Sequence, residues 1–207
     1  MPVRIRTAYL FLLLLVALLS GGCGDDGPRL QGLPADAVIL AFGDSLTYGT
    51  GAAAEQSYPV VLEQLVGKTV VRAGVPGEVS AEGLSRLPAA LADHSPQLVI
   101  ICHGGNDLLR RKDRARLADN LRAMVRLARA AGAEVLLVAV PEPGLMLSPA
   151  DLYQQLADEL GLPLERDTVA DILGERALKS DTVHPNAAGY RRLAEAIAET
   201  LRDHGAL

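Results

Sequence analysis

Val38-Ile39-Leu40-Ala41-Phe42-Gly43-Asp44-Ser45-Leu46 is the stretch from which the fold can be read. Its first five residues form an unbroken apolar run, the pattern of a strand buried on both faces of a parallel sheet. Gly43 ends that strand. In open α/β sheets the loops beyond the carboxyl ends of the strands converge, and helix N-termini there point backbone amides at developing negative charge. Ser45 stands where such a fold puts a nucleophile.

Working outward, short apolar runs alternate with amphipathic segments, the pattern of a parallel sheet covered by helices on both faces. Strands are expected near Val38–Phe42, Thr69–Ala73, Leu98–Cys102 and Glu134–Val140, with a short last one near Leu162–Leu164. Ser57 and Pro59 start a helix that Gly67 ends. Arg114–Ala131 is predicted as a long helix with Leu117, Leu121, Met124 and Ala128 on one face, and Ser148-Pro149 starts another ending at Gly161. A final helix is expected over Ala187–Leu201. The sequence contains no internal repeat.

A serine hydroxyl is a poor nucleophile at neutral pH unless an imidazole takes its proton and a carboxylate fixes that imidazole's tautomer. Asp181-Thr182-Val183-His184, just before the last helix, supplies both. The three-residue spacing lets one turn present Asp181 and His184 to each other, and Pro185 favours an extended backbone at His184. Ser45, Asp181 and His184 are therefore the candidate catalytic residues: nucleophile, orienting carboxylate and general base. Taken alone, Gly-Asp-Ser is commonly just a turn and a single histidine commonly a surface residue; their joint presence favours chemistry.

Four blocks carry a family resemblance: Gly43-Asp44-Ser45-Leu46-Thr47-Tyr48-Gly49, Ala73-Gly74-Val75-Pro76-Gly77-Glu78-Val79-Ser80, Gly104-Gly105-Asn106-Asp107, and Asp181-Thr182-Val183-His184-Pro185-Asn186. Over roughly Val38 to Leu201 the chain resembles the SGNH, or GDSL, hydrolases, in particular their small bacterial thioesterase, lysophospholipase and arylesterase branch. The resemblance implies a three-layer α/β/α sandwich with a central, mostly parallel five-stranded sheet of flavodoxin-like type. It also implies an oxyanion hole made by the Ser45 amide, the Gly77 amide and the Asn106 side chain. Asp107, beside that site, reads as a structural carboxylate that bonds loop amides. Arg72, Pro76 and Glu78 depart from the family pattern, and Pro76 restricts both its own φ and the conformation of Val75. A stiffer Gly77 loop is the expectation.

The N-terminus has the pattern of an export signal. Arg4 and Arg6 precede an apolar stretch from Ala8 to Leu19, too short for a membrane span of about twenty residues, and small residues follow. Leu19-Ser20-Gly21-Gly22-Cys23 resembles a bacterial lipobox, which implies cleavage before Cys23 and lipidation of its thiol. The organisation read from the sequence is a signal peptide over 1–22, a flexible tether over 23–37 and one hydrolase domain over 38–207. The destination is a membrane-anchored lipoprotein facing the periplasm or the cell exterior. The only other cysteine, Cys102, lies in an apolar run and reads as a small buried hydrophobe.

About 170 residues remain for the domain, enough for one core, and a monomer is expected. The four histidines (His94, His103, His184, His204) have no ligand spacing, so neither metal nor cofactor is expected. Formal charge is −5, and −7 once Arg4 and Arg6 leave with the signal, which argues against nucleic acid as a partner. Arg110-Arg111-Lys112, with Arg114 and Arg116, reads as a solvated charged face or as a receiver for an anionic part of the substrate.

Three functions fit these residues. The first is a serine esterase for acyl esters or thioesters, of lysophospholipid, acyl-thioester or aryl-ester type. The second is a carbohydrate O-deacetylase of the envelope. It is disfavoured by the absence of Trp and by a supply of only two Phe and five Tyr for stacking against sugars. The third is a non-catalytic lipoprotein binding module, disfavoured by the completeness of the triad.

Overall fold

The computed structural model describes residues 27–144 and 147–207. The stretch expected as a signal peptide, and Cys23, lie outside the described residues. Five strands form one sheet: β1 (Val38–Gly43), β2 (Thr69–Gly74), β3 (Leu98–Cys102), β4 (Glu134–Val138) and β5 (Leu164–Glu165). They lie in the order β2-β1-β3-β4-β5, every neighbouring pair parallel. Among the described residues there are eight α-helices: α1 (Ser45–Tyr48), α2 (Tyr58–Val66), α3 (Ser80–His94), α4 (Gly105–Leu109), α5 (Arg114–Ala130), α6 (Asp151–Leu160), α7 (Thr168–Gly174) and α8 (Ala187–Asp203). Helix α2 packs on α8, while α3 packs on α5, which also meets α6. Among the described residues no helix is long and apolar enough to cross a membrane.

Burial explains the strand composition. Ile39 through Phe42 and Leu98 through Cys102 are fully buried, since helices cover both faces of the sheet. Helix α5 inserts Leu117, Leu121, Met124, Val125 and Ala128 into the core, and α8 contributes Tyr190, Leu193, Ile197 and Leu201. The chain leaves β1 toward β2 on one side and reaches β3 on the other. The switch point of the sheet therefore lies between β1 and β3, where ligand crevices form in such sheets.

The expected elements hold, with differences at their ends. Strand β4 stops at Val138 and β5 begins at Leu164. Pro163 has no amide to give to the ladder, and the Leu162 N–H turns back to Ala157 O at 2.9 Å, closing the end of α6. Helix α6 begins at Asp151 because Pro149 is taken up in an antiparallel bridge with Pro141. Helices α1, α3, α4 and α7 have no named counterpart among the expected elements.

Leu30–Ala37, expected as part of a flexible tether, is docked on the domain. The Leu30 N–H donates to His204 O at 2.8 Å and the Leu33 N–H to Ala206 O at 2.9 Å, while Lys68 Nζ donates to Pro34 O at 2.8 Å. Leu30 and Ala37 are buried. This stretch runs across the amino ends of the strands, opposite the end that carries Ser45.

Candidate active site

The site starts with the turn after β1. Asp44 caps α1, its Oδ1 accepting the Leu46 N–H at 3.1 Å, so Ser45 becomes the first residue of a four-residue helix. The turn is pressed tightly against the sheet. Gly43 pairs in register with Gly74 on β2 and with Cys102 on β3, and a Cβ at Gly43 would collide with Cys102 O and Thr47 Oγ1. Burial pushes the Asp44 carboxyl above the ordinary carboxylate range, against hydrogen bonds from Leu46 and Asn106 that lower it.

His184 arrives from the loop before α8. Its Nε2 is 3.0 Å from Ser45 Oγ and its Nδ1 is 2.8 Å from Asp181 Oδ2. Asp181 Oδ1 also accepts the Val183 and His184 amides, each at 2.8 Å. Partial burial raises the Asp181 carboxyl, but these bonds prevail and hold it below its ordinary value. An ionised Asp181 is an acceptor only, so Nδ1 carries the imidazole proton and Nε2 presents a lone pair to the Ser45 hydroxyl. Residues 136 positions or more apart in sequence are thereby joined in one line of hydrogen bonds.

The other implied residues converge on the same place. Val75-Pro76-Gly77-Glu78 forms a turn closed by Glu78 N–H to Val75 O at 3.2 Å, with Gly77 at φ +79°. That is the type II geometry, with proline first and glycine at the left-handed position. Arg110 Nη2 donates to Gly77 O at 2.9 Å. Among the described residues the Ser45 and Gly77 amides have no hydrogen-bond acceptor, which leaves both N–H groups open to the crevice.

Asn106 sits in the first turn of α4, directly beyond β3. Its Nδ2 donates to Glu78 O at 3.1 Å and to Asp44 Oδ2 at 3.3 Å. Asp107 points away, its Oδ2 accepting the Ser80 N–H at 2.7 Å and its Oδ1 the Ser80 hydroxyl at 2.8 Å. That is the structural role expected of it.

Ser45, His184, Gly77 and Asn106 line one cleft of about 440 Å³ whose remaining wall includes Leu109, Val140, Pro141, Leu147, Leu173 and Val183. Among the described residues no group of three His, Cys, Asp or Glu side chains converges in a way that could hold a metal. Of the basic run, Arg110 is engaged with the Gly77 turn and Arg114 pairs with Glu142 at 2.7 Å. Sequence reasoning missed one feature: Arg86 of α3 and His103 after β3 meet the Glu78 side chain behind the Gly77 turn. The available signal was a histidine and a glutamate next to predicted buried elements, each needing a partner.

Comparison with known proteins agrees with this geometry. Esterase TesA of Pseudomonas aeruginosa is 33% identical over 177 residues, covering 79% of this chain and 87% of the relative. Thioesterase 1/protease 1/lysophospholipase L1 of Escherichia coli K12 is 33% identical over 172 residues, covering 79% and 83%. The crystal structure of TesA superimposes with a TM-score of 0.72 at 32% identity, covering 81% of this chain and 99% of that one. The psychrotrophic esterase EstA from Pseudoalteromonas, inhibited by monoethylphosphonate, gives 0.74 at 25% identity, covering 81% and 98%. Residues 41–192 match the model of the GDSL-like lipase/acylhydrolase family, and with relatives this similar over this much of its length the chain belongs to that family.

Proposed function

We propose that the protein is a serine esterase that hydrolyses acyl esters or thioesters through an acyl-enzyme on Ser45. The observation that carries this reading is the line Ser45 Oγ, His184, Asp181, with bonds of 3.0 and 2.8 Å, at the wall of an apolar cleft. His184 Nε2 takes the Ser45 proton as Oγ attacks the acyl carbon, and Asp181 stabilises the imidazolium. The Ser45 and Gly77 amides and Asn106 Nδ2 receive the oxyanion. Asn106 does so by releasing its longer bond, to Asp44, while Glu78 O keeps the amide aimed. His184 then protonates the leaving alkoxide or thiolate, and water repeats the sequence on the acyl-enzyme.

The lining favours an acyl chain over a sugar, since no Phe, Tyr or Trp is among the described residues of the cleft wall. The relatives' names (esterase, thioesterase, lysophospholipase) point to the same substrate class. Hydrolysis of p-nitrophenyl esters from acetyl to palmitoyl by the chain starting after Cys23 tests the proposal. Turnover that peaks beyond acetyl and vanishes in Ser45→Ala is the expected result. An acetyl-only profile would favour the deacetylase, and a folded protein inert to the whole series would refute the esterase.

Export and lipid anchoring through Cys23 are proposed on the sequence of residues 4–23 alone. Incorporation of labelled palmitate into the full chain, lost in Cys23→Ala, is the outcome this placement requires.

A further inference from the structure

The Glu78 side chain is buried, and it does not line the acyl cleft. Its carboxylate accepts Arg86 Nε at 2.8 Å and Arg86 Nη2 at 2.7 Å, and lies 3.1 Å from His103 Nε2. Burial raises this carboxyl, but the hydrogen bonds from Arg86 and then from His103 outweigh it and bring it down to about 2. It is therefore an acceptor only, which fixes the proton of His103 on Nε2. His103 is completely buried, and its Nδ1 has no partner among the described residues. A buried, half-satisfied histidine costs stability, so it must serve some purpose where it stands.

The position of the cluster says what that purpose is. Arg86 Nη2 also donates to Gly43 O at 3.3 Å and to Ala73 O at 3.2 Å, with the guanidinium 4.1 Å above the Phe42 ring. It therefore ties the carboxyl ends of β1 and β2 to the Glu78 side chain. Glu78 follows Gly77 directly, and its carbonyl receives Asn106 Nδ2. Gly43 lies two residues before Ser45. All three oxyanion donors thus hang from one partly buried set of bonds: Ser45 through Gly43, Gly77 through its neighbour Glu78, and Asn106 through Glu78 O. His103 is locked in place by α3, where a Cβ at Gly83 would collide with its ring, 2.8 Å from Cδ2.

We infer that Glu78, Arg86 and His103 are positioning residues that set the mutual spacing of the oxyanion donors, with His103 preventing the Glu78 carboxylate from swinging away from Arg86. The inference rests on the esterase reading. It separates transition-state alignment from substrate binding, because none of the three side chains lines the acyl cleft.

The test measures kcat and KM on a p-nitrophenyl ester, and affinity for a short alkyl boronic acid that mimics the tetrahedral intermediate, in wild type, His103→Leu and His103→Gln. In His103→Leu, kcat is expected to fall about tenfold to hundredfold, boronate affinity to fall by a similar factor and KM to stay within about twofold. His103→Gln, whose amide can replace the Nε2–H donor, is expected to recover most of the loss. Glu78→Gln provides the same comparison should the leucine variant fail to fold. Unchanged kcat in a folded His103→Leu, or a glutamine variant as impaired as the leucine variant, overturns the clamp and leaves the esterase standing. A wild type that neither turns over esters nor binds boronate overturns both.

Discussion

Replacing Gly74 by alanine puts a methyl group between the sheet and the nucleophile turn. The added Cβ would lie 2.6 Å from the Thr47 carbonyl carbon and 2.7 Å from Asp44 O, and would collide with the Tyr48 amide nitrogen. All three contacts are backbone atoms, so no rotamer change relieves them. Ordinary carbon contacts begin at about 3.5 Å, so α1 must retreat from β2 by roughly 1 Å. Ser45 is the first residue of α1, and its Oγ is held to His184 Nε2 at 3.0 Å. A misplacement of that size costs about a hundredfold in turnover. Overpacking a tight site costs roughly 1–3 kcal/mol, and for a domain of this size that lowers Tm by about 2–12 °C. Steady-state kinetics on a p-nitrophenyl ester, paired with a thermal melt, reads both effects. Gly174→Ala is the control, because a Cβ at the end of α7 meets nothing within 4 Å and is expected to leave both quantities near wild type. A Gly74→Ala enzyme with kcat within about twofold of wild type would refute the claim that β2 sets the nucleophile's position.

Three further outcomes are expected. Asp181→Asn removes the acceptor that fixes the His184 tautomer, and kcat should fall by about 10⁴ with little change in KM; a loss below about tenfold would remove Asp181 from its role. The Glu78 carboxyl is depressed from 4.5 to about 2. The stability it contributes is therefore present above about pH 4.5 and lost as pH falls toward 2. The stability gap between wild type and Glu78→Gln in urea melts should shrink over that range, and a gap independent of pH would contradict the ionised Glu78. Burial raises the Cys102 thiol strongly, with Asp44 adding to it, so the native protein should resist alkylation at Cys102 and react only in denaturant; labelling of the folded protein would show that β3 opens.

The sequence revealed those parts of the site that chemistry obliges to be local. Asp181 and His184 lie within one turn, and Ser45 follows a strand whose apolar run is unmistakable, so short windows carried both halves of the triad. Strands β1 and β3 were legible for a related reason, because burial on both faces leaves no polar residue to obscure them. What escaped depends on partners far apart in sequence. Nothing local distinguishes Leu30, in a stretch dense with glycine, proline and charge, from a tether residue; only the carbonyls of His204 and Ala206 at the other end of the chain give the backbone of Leu30 and Leu33 somewhere to dock. Glu78, Arg86 and His103 belong to three different elements, and each alone reads as a surface charge or a stray histidine. The stiffness expected of the Gly77 turn from Pro76 has a second source in this cluster, reached through side chains rather than backbone torsions. A loop held by both is set before substrate arrives. Binding energy from the acyl chain is then not consumed in ordering the Gly77 turn, and chain length should act on KM more than on kcat.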